Sequence, residues 1–348
     1  MKKFDVRIFD VKLKKLFNIC KKSNKNTNKF DENFKDLVNT ILTNGIVKND
    51  RTGVGTISYF GYQQRFNLLE GFPLLTLRKI HIQSFIHEML WFMKSYDSYY
   101  DRFGNTNIKY LVDNNVTFWT DWCLKDYNLS NPNNILTQKE FEYKIKTDEN
   151  FALQYGELGN IYGKQFNDFN GVNQIEEVLN DLKNNCDSRR MIVSAWNPSE
   201  FSQAKLPPCH ILFQFYTNDI NENDRINYSN ENNINIEDCP KKYISLQLYM
   251  RSNDVYLGNP FNVAGYSLLL HMFGSILNYI PKDFILTIGD AHLYSNSIEA
   301  AKTVCSRESF NPCKIKVKKC NSIRDFRIDS FEIIDYKCHQ NIKVDVAV

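Results

Sequence analysis

The stretch "LPPCHILFQF", residues 206–215, sets a thiol between two prolines and an apolar run. Cys209 could attack an electrophile or simply pack as a small hydrophobe. On these ten residues alone the packed thiol is the simpler reading. An unperturbed thiol titrates near roughly 8.5, so a nucleophilic Cys209 needs a cation close by to hold its thiolate. His210 follows at once. Neighbouring residues of a strand point to opposite faces, which disfavours a Cys–His dyad of the protease kind.

Arginines are the candidate cations. Arg51 lies in "DRTGVG", where flexible glycines let backbone amides approach an anion. Arg189 and Arg190 stand side by side in "DSRRMIVSAWNP", ahead of an apolar strand. Arg251 ends the alternating run "YISLQLYMRS" on its polar face. Each also fits a solvated surface; Arg189 and Arg190 together would make a phosphate clamp, and Arg251 faces either water or a site. Glu88 lies in "FIHEMLWF". A carboxylate there either faces outward or loses solvation, which raises its pKa and lets it hold or relay a proton near neutrality. Asn262 in "GNPFNVAGYS" either caps the helix that follows or offers its donor and acceptor to a uracil-like edge. His292 and Tyr294 in "GDAHLYSN" share a face if the segment is extended. They would bind sugar hydroxyls or pack on each other.

These residues need elements to hold them. Phe34, Leu37, Val38, Ile41 and Leu42 predict a helix over 34–42, and helices are also predicted over 81–95, 174–184 and 262–279. Residues 49–76 read as a loop, a strand and a turn at Gly71–Pro73. In residues 243–252, Ile244, Leu246, Leu248 and Met250 face one way, while Ser245, Gln247, Tyr249 and Arg251 face the other. After the helix over 262–279 a mixed strand region runs to the C-terminus. The Asn-rich stretch 218–242 reads as a flexible loop. Strands and helices interleave without a strict βαβ rhythm, which predicts an α/β chain of the α+β type, a single mixed domain.

The 348 residues are 43% hydrophobic and 24% charged, the profile of a soluble globular protein. A net charge of +3 gives no bulk attraction to nucleic acid or anionic membrane, so anion binding must come from placed arginines. Nine scattered cysteines, with no C-x-x-C pair, predict a reducing compartment and no zinc or other metal site. The N-terminus lacks a secretory pattern, and the apolar stretch around His271 is short for a membrane span, so a cytoplasmic location is expected. Residues 1–30 form a basic extension, with Phe9, Leu13, Leu16, Phe17 and Cys20 on one face of a helix that is either solvated or docks on a partner.

Taken in order, "NDRTGVGT", "GFPLLT", "HEMLWF", "NNVTFWTDW", "IYGKQF", "DSRRMIVSAWNP", "LPPCH", "LYMRSNDVYLGNPFNVAGY" and "GDAHLYSN" closely resemble the folate-dependent, non-flavin thymidylate synthases. The resemblance covers about residues 31–348. It implies a large twisted sheet packed by helices, with the sheet forming a homodimer interface. It implies conversion of dUMP to dTMP with 5,10-methylenetetrahydrofolate as co-substrate, and neither flavin nor metal. Cys209 would add to C6 of the uracil. Glu88, with Tyr162 and His210 nearby, would organise proton transfers. Arg51, Arg251 and Ser252 would bind the phosphate, and Arg189 and Arg190 would reach it from the other subunit. Asn262 would read the uracil edge, and His292 and Tyr294 would hold the ribose. His81, Trp119, Asp254 and Ala347 would meet the folate, with Val346–Val348 closing over the ligands. No nucleic-acid partner is implied, apart from self-regulation through the enzyme's own message.

Departures from the family's pattern are Asn160, Phe166, Asn259, Gly265 and Asp345, where Pro, Trp, an apolar residue, a small polar residue and Pro are commoner. Residues 96–104, 124–156 and 218–242 look like insertions and are expected to be loops. Two other readings remain. A dUMP hydroxymethylase of the same superfamily would deliver water in place of hydride; its cytosine-specific counterpart would carry Asp at position 262. A non-catalytic nucleotide- or RNA-binding relative would not need Cys209, Glu88 and Asn262 together.

Overall fold

The structure, a computed structural model, describes residues 28–49 and 53–345. Its centre is a six-stranded sheet. Strands β1 (Ile46–Lys48), β2 (Thr56–Asn67), β3 (Ile192–Ser194), β4 (His210–Asp219), β5 (Lys242–Asp254) and β6 (Ile280–Tyr294) lie in the order β1-β2-β6-β5-β4-β3. Every pairing is antiparallel except β5 with β6. A parallel pair needs a crossover, and the helix Gly258–Leu277 supplies it. A separate two-stranded ribbon joins β7 (Lys314–Val317) to β8 (Phe331–Ile334).

Eleven helices surround the sheet among the described residues: α1 (Lys29–Asn44), α2 (Ile82–Phe92), α3 (Lys109–Asp113), α4 (Thr120–Ser130), α5 (Gln138–Thr147), α6 (Glu149–Tyr155), α7 (Tyr162–Asn167), α8 (Gln174–Asn184), α9 (Glu222–Asn232), α10 (the crossover, Gly258–Leu277) and α11 (Ile298–Cys305). The helix predicted over 174–184 is α8, with Ile175, Val178, Leu179 and Leu182 buried and Asn173 capping its start. In α1, Phe34, Leu37, Val38 and Ile41 turn inward, and the Asn28 side chain accepts from the first free amides. The alternation along β5 holds. Ile244, Leu246 and Leu248 are fully buried and Met250 is 2% exposed; on the other face Gln247 is exposed and Tyr249 and Arg251 are half-buried, while Ser245 is covered. The inner face packs on α10, where the Phe215 ring stacks on Phe273 at 4.5 Å. The outer face is open, with Tyr216 65% exposed.

Three expectations are corrected. Residues 124–156 are helical: the end of α4, then α5 and α6, closed by an aromatic cluster in which Phe141 lies 5.4 Å from Phe151 and 5.7 Å from Tyr127. The sequence there looked like a loop because its polar face is long; its apolar positions still fall at helical spacing. Residues 218–242 contain α9, which starts at an Asn221 cap and ends at Asn233 in the left-handed region. Asparagine favours both ends of a helix, so its density marked boundaries and not absence of structure. Residues 96–104 carry a short 3-10 turn over Ser98–Arg102. The C-terminal region also adds α11 to its strands. The proposed N-terminal docking helix lies outside the described residues.

Gly163, second residue of α7, sits against another backbone. A Cβ there would fall 2.1 Å from the Asn105 carbonyl oxygen. Helix α7 carries Tyr162, so this close approach sets the depth of that side chain. Gly163→Ala is expected to lower the stability measured by urea unfolding by about 2 kcal/mol or more, and to reduce turnover by displacing α7.

Candidate active site

Cys209 stands just before β4, at the end of the sheet where β4 and β5 meet. The Arg251 backbone N–H donates to the Cys209 carbonyl at 2.9 Å, which prolongs the ladder by one step. The Arg251 side chain folds back onto the same segment. Its Nε donates to the Pro208 carbonyl at 2.8 Å and its Nη2 to the Pro207 carbonyl at 2.9 Å, and Nη2 lies 3.7 Å from Cys209 Sγ. From the other side the Cys209 N–H donates to the Tyr162 hydroxyl at 2.7 Å. The cation demanded by a nucleophilic thiol is therefore present. Burial nevertheless pushes the thiol above its ordinary pKa; Arg251, and then Tyr162, pull the other way. The guanidinium moderates the thiol and does not by itself ionise it.

A cavity of about 240 Å³ opens beside the sulfur. Glu88, Trp119, Tyr162, Cys209, His210, Ser252, Asp254 and Asn262 all border it, together with Phe118, Trp122, Leu206, Met250 and Asn253. His210 thus shares a cavity with its neighbour, contrary to the opposite-face expectation. Cys209 precedes the strand, and the β4 register slips between His210 and Leu212, so strict alternation does not apply. The dyad is still not formed. His210 Nδ1 pairs with the Tyr266 hydroxyl at 3.0 Å, and Nε2 pairs with Asn262 Nδ2 at 3.1 Å. Burial lowers the imidazole to about 3, so it is neutral: Nε2 accepts from Asn262 and Nδ1–H donates to Tyr266.

Glu88 faces the cavity and not bulk solvent. Trp119 Nε1 donates to Glu88 Oε1 at 2.8 Å, a link that sequence reasoning missed. Burial raises the carboxyl to about 7, against the smaller opposing pull of Trp119. Asn262 does not cap α10. It is inside the helix, whose N-cap is Leu257, and its side chain reaches Asn253 and His210. Asp254 accepts from the backbone amides of Tyr256 at 3.0 Å and Leu257 at 3.1 Å, bracing the turn into α10.

Other predicted residues stand further off. His292 pairs in register with Asp254 across β5 and β6, and its ring lies 5.2 Å from the Tyr294 ring. His81 is exposed at the start of α2 and pairs with Ser84 at 2.8 Å. Arg189 and Arg190 are exposed before β3 and do not border the cavity. Arg189 lines a separate hollow of about 760 Å³ on the open sheet face, larger than the cavity at Cys209. Arg51 and Ala347 lie outside the described residues. The chain before Ala347 is tied down: Tyr256 donates to the Ile342 carbonyl at 2.9 Å, and Asn296 to the Asp345 carbonyl at 3.0 Å. Among the described residues no group of three or more His, Cys, Asp or Glu could hold a metal ion, and no helix is long and apolar enough to cross a membrane.

Because the folded state holds Glu88 at about 7, the native protein binds a proton there more tightly than the unfolded chain does. Stability from this group is complete below about pH 4.5 and falls as pH rises to 7. The loss is roughly 3 kcal/mol. Glu88→Gln keeps the acceptor for Trp119 and removes the charge. Thermal melts are expected to show the variant more stable than the parent at pH 8, with the gap closing near pH 4.5.

The thymidylate synthase family pattern matches residues 32–348. The chain is 44% identical over 316 residues to thymidylate synthase of Malacoplasma penetrans, covering 90% of this chain and 99% of that protein. It is 45% identical over 318 residues to the enzyme of Mycoplasma mobile, covering 91% and 100%. It is 40% identical over 347 residues to that of Staphylococcus haemolyticus, covering 92% and 99%. These matches, together with the mixed sheet packed by helices, show that the chain belongs to the thymidylate synthase family.

Proposed function

We propose that this protein reductively methylates dUMP to dTMP, with 5,10-methylenetetrahydrofolate as co-substrate and dihydrofolate as second product. The observation that carries the reading is Cys209, clasped by Arg251 and Tyr162 at the wall of a cavity shared with Glu88 and Asn262. Sγ adds to C6 of the uracil ring and gives up its proton. C5 thereby gains enolate character and attacks the carbon donor. The folate supplies the methylene group and then the hydride. Loss of the C5 proton breaks the bond between the methylene and the folate nitrogen, and hydride transfer from the freed tetrahydrofolate to that methylene expels the thiolate from C6, leaving dTMP and dihydrofolate. Glu88, titrating near neutrality, can hand a proton to or from the O4 side through water. Asn262 offers an acceptor to N3–H and a donor to O4.

The phosphate falls to Arg51, Arg251 and Ser252, joined by Arg189 and Arg190 of a second copy. The exposure of Arg189 and Arg190 in one copy, beside the hollow sheet face, supports a homodimer with shared sites. His292 and Tyr294 hold the ribose. Asp254, Trp119 and His81 meet the folate, and the tail with Ala347 closes over it. Residues 1–30 are an extension to a domain spanning 31–348, and the setting is cytoplasmic.

Incubation with 5-fluoro-dUMP and the folate is expected to leave a covalent adduct that mass spectrometry maps to Cys209, absent in Cys209→Ser. With dUMP itself the products are dTMP and dihydrofolate. Formation of 5-hydroxymethyl-dUMP with tetrahydrofolate would overturn the synthase in favour of the hydroxymethylase. Unchanged turnover in Cys209→Ser would overturn the covalent route.

A further inference from the structure

Behind Asn262 runs a chain of side-chain amides. Gln64 on β2, Asn253 on β5 and Asn259 on α10 are each 2% exposed. Groups buried this deeply are costly unless each hydrogen-bonding atom finds a partner. Here the pairing has a direction. Gln64 Nε2 meets the Asn33 carbonyl at 3.1 Å. A carbonyl can only accept, so Gln64 must donate there and turn its Oε1 toward Asn259. Asn259 Nδ2 spends its two hydrogens on Gln64 Oε1 and Asn253 Oδ1, both at 3.0 Å. Asn253 is left to donate from Nδ2 to Asn262 Oδ1, at 3.0 Å. Asn262 then donates from Nδ2 to the neutral His210, and its second hydrogen and second lone pair face the cavity. A single backbone carbonyl on α1 thus sets the polarity of every amide up to the candidate binding residue.

We propose that Gln64, Asn259 and Asn253 are positioning residues that lock the Asn262 amide in one orientation and so make the site select a 4-oxo pyrimidine over a 4-amino one. This rests on the functional reading above, in which Asn262 faces the pyrimidine edge. A uracil presents N3–H and O4, which match an acceptor and a donor in the order given. A cytosine presents a bare N3 and a 4-amino group, the reverse. Asn262 could serve cytosine only by turning over. The turn would set Oδ1 against the His210 lone pair and Nδ2 against the Asn253 donor, breaking two bonds at once. Rejection would therefore come from residues that do not touch the nucleotide.

The test exchanges the polarity without changing shape. In Asn253→Asp the carboxylate accepts from Asn259 through one oxygen and offers the other to Asn262, which must turn Nδ2 toward it. The His210 tautomer shifts, and the pyrimidine-facing edge is reversed. Dissociation constants for dUMP and dCMP are measured by titration on the full-length protein and the variant, with folding checked by circular dichroism. The preference for dUMP over dCMP is expected to fall roughly tenfold or more in Asn253→Asp. Asn259→Leu cuts the chain further back without adding charge, and its preference is expected to fall in the same direction, about threefold. If Asn253→Asp does not fold, Asn259→Leu decides. A preference unchanged in the folded variants, with the parent still binding dUMP, would overturn the relay and leave the enzyme assignment standing. A parent that bound neither nucleotide and formed no adduct at Cys209 would overturn both.

Discussion

The Arg251 guanidinium holds two carbonyls and a thiol at once. Pro207 and Pro208 precede β4, so their carbonyls lie outside its ladder, and Arg251 donates to both. The clasp fixes the approach to β4, ties it to β5 and sets the sulfur beside a positive charge. A partly buried guanidinium is tolerable only while its donors are engaged. An arriving phosphate would compete for those donors, so substrate binding and the environment of the thiol would be linked through one side chain.

The same requirement of pairing governs the rest of the cavity. Glu88 lies among apolar neighbours and keeps one indole N–H for company, which leaves it near neutrality and not firmly ionised. His210 is committed at both nitrogens and pressed against the Tyr162 ring at 4.7 Å. Its ring is neutral, and neither nitrogen is paired with the thiol. The prolines, the strand and the imidazole beside Cys209 are thus parts of a mounting, while the carboxyl held near neutrality comes from a helix far away in sequence.

Much of this was legible before any coordinates. The apolar spacing marked α8 to the residue, and the alternation of residues 244–250 marked the buried and open faces of β5. On local pattern alone Glu88 and Cys209 each fitted a packed or outward-facing role as well as a chemical one, and the ordered resemblance to a family singled them out. The misreadings share a cause. The faces of Cys209 and His210 depend on a β-bulge, which is set by pairing between strands and not by local pattern. Asn262 looked like a cap because three asparagines crowd the turn into α10; their partners lie as far off as Gln64, 195 residues away from Asn259. The stretch 218–242 looked unstructured because asparagine signals a helix end as readily as a loop.

The sheet order has a consequence for how the chain is made. β6 lies between β2 and β5, yet it is the last long strand of the sheet to be synthesised. Until residues 280–294 emerge, β2 and β5 each expose an unpaired edge, and the apolar faces of both await their neighbour. The β4–β5 clasp around the thiol can form locally in this interval. The contacts from β2 to α10 cannot, because β2 is separated from them until the central strand arrives. A nascent chain would therefore hold the clasped thiol before it holds the complete cavity, and the half-built sheet is the state most exposed to aggregation.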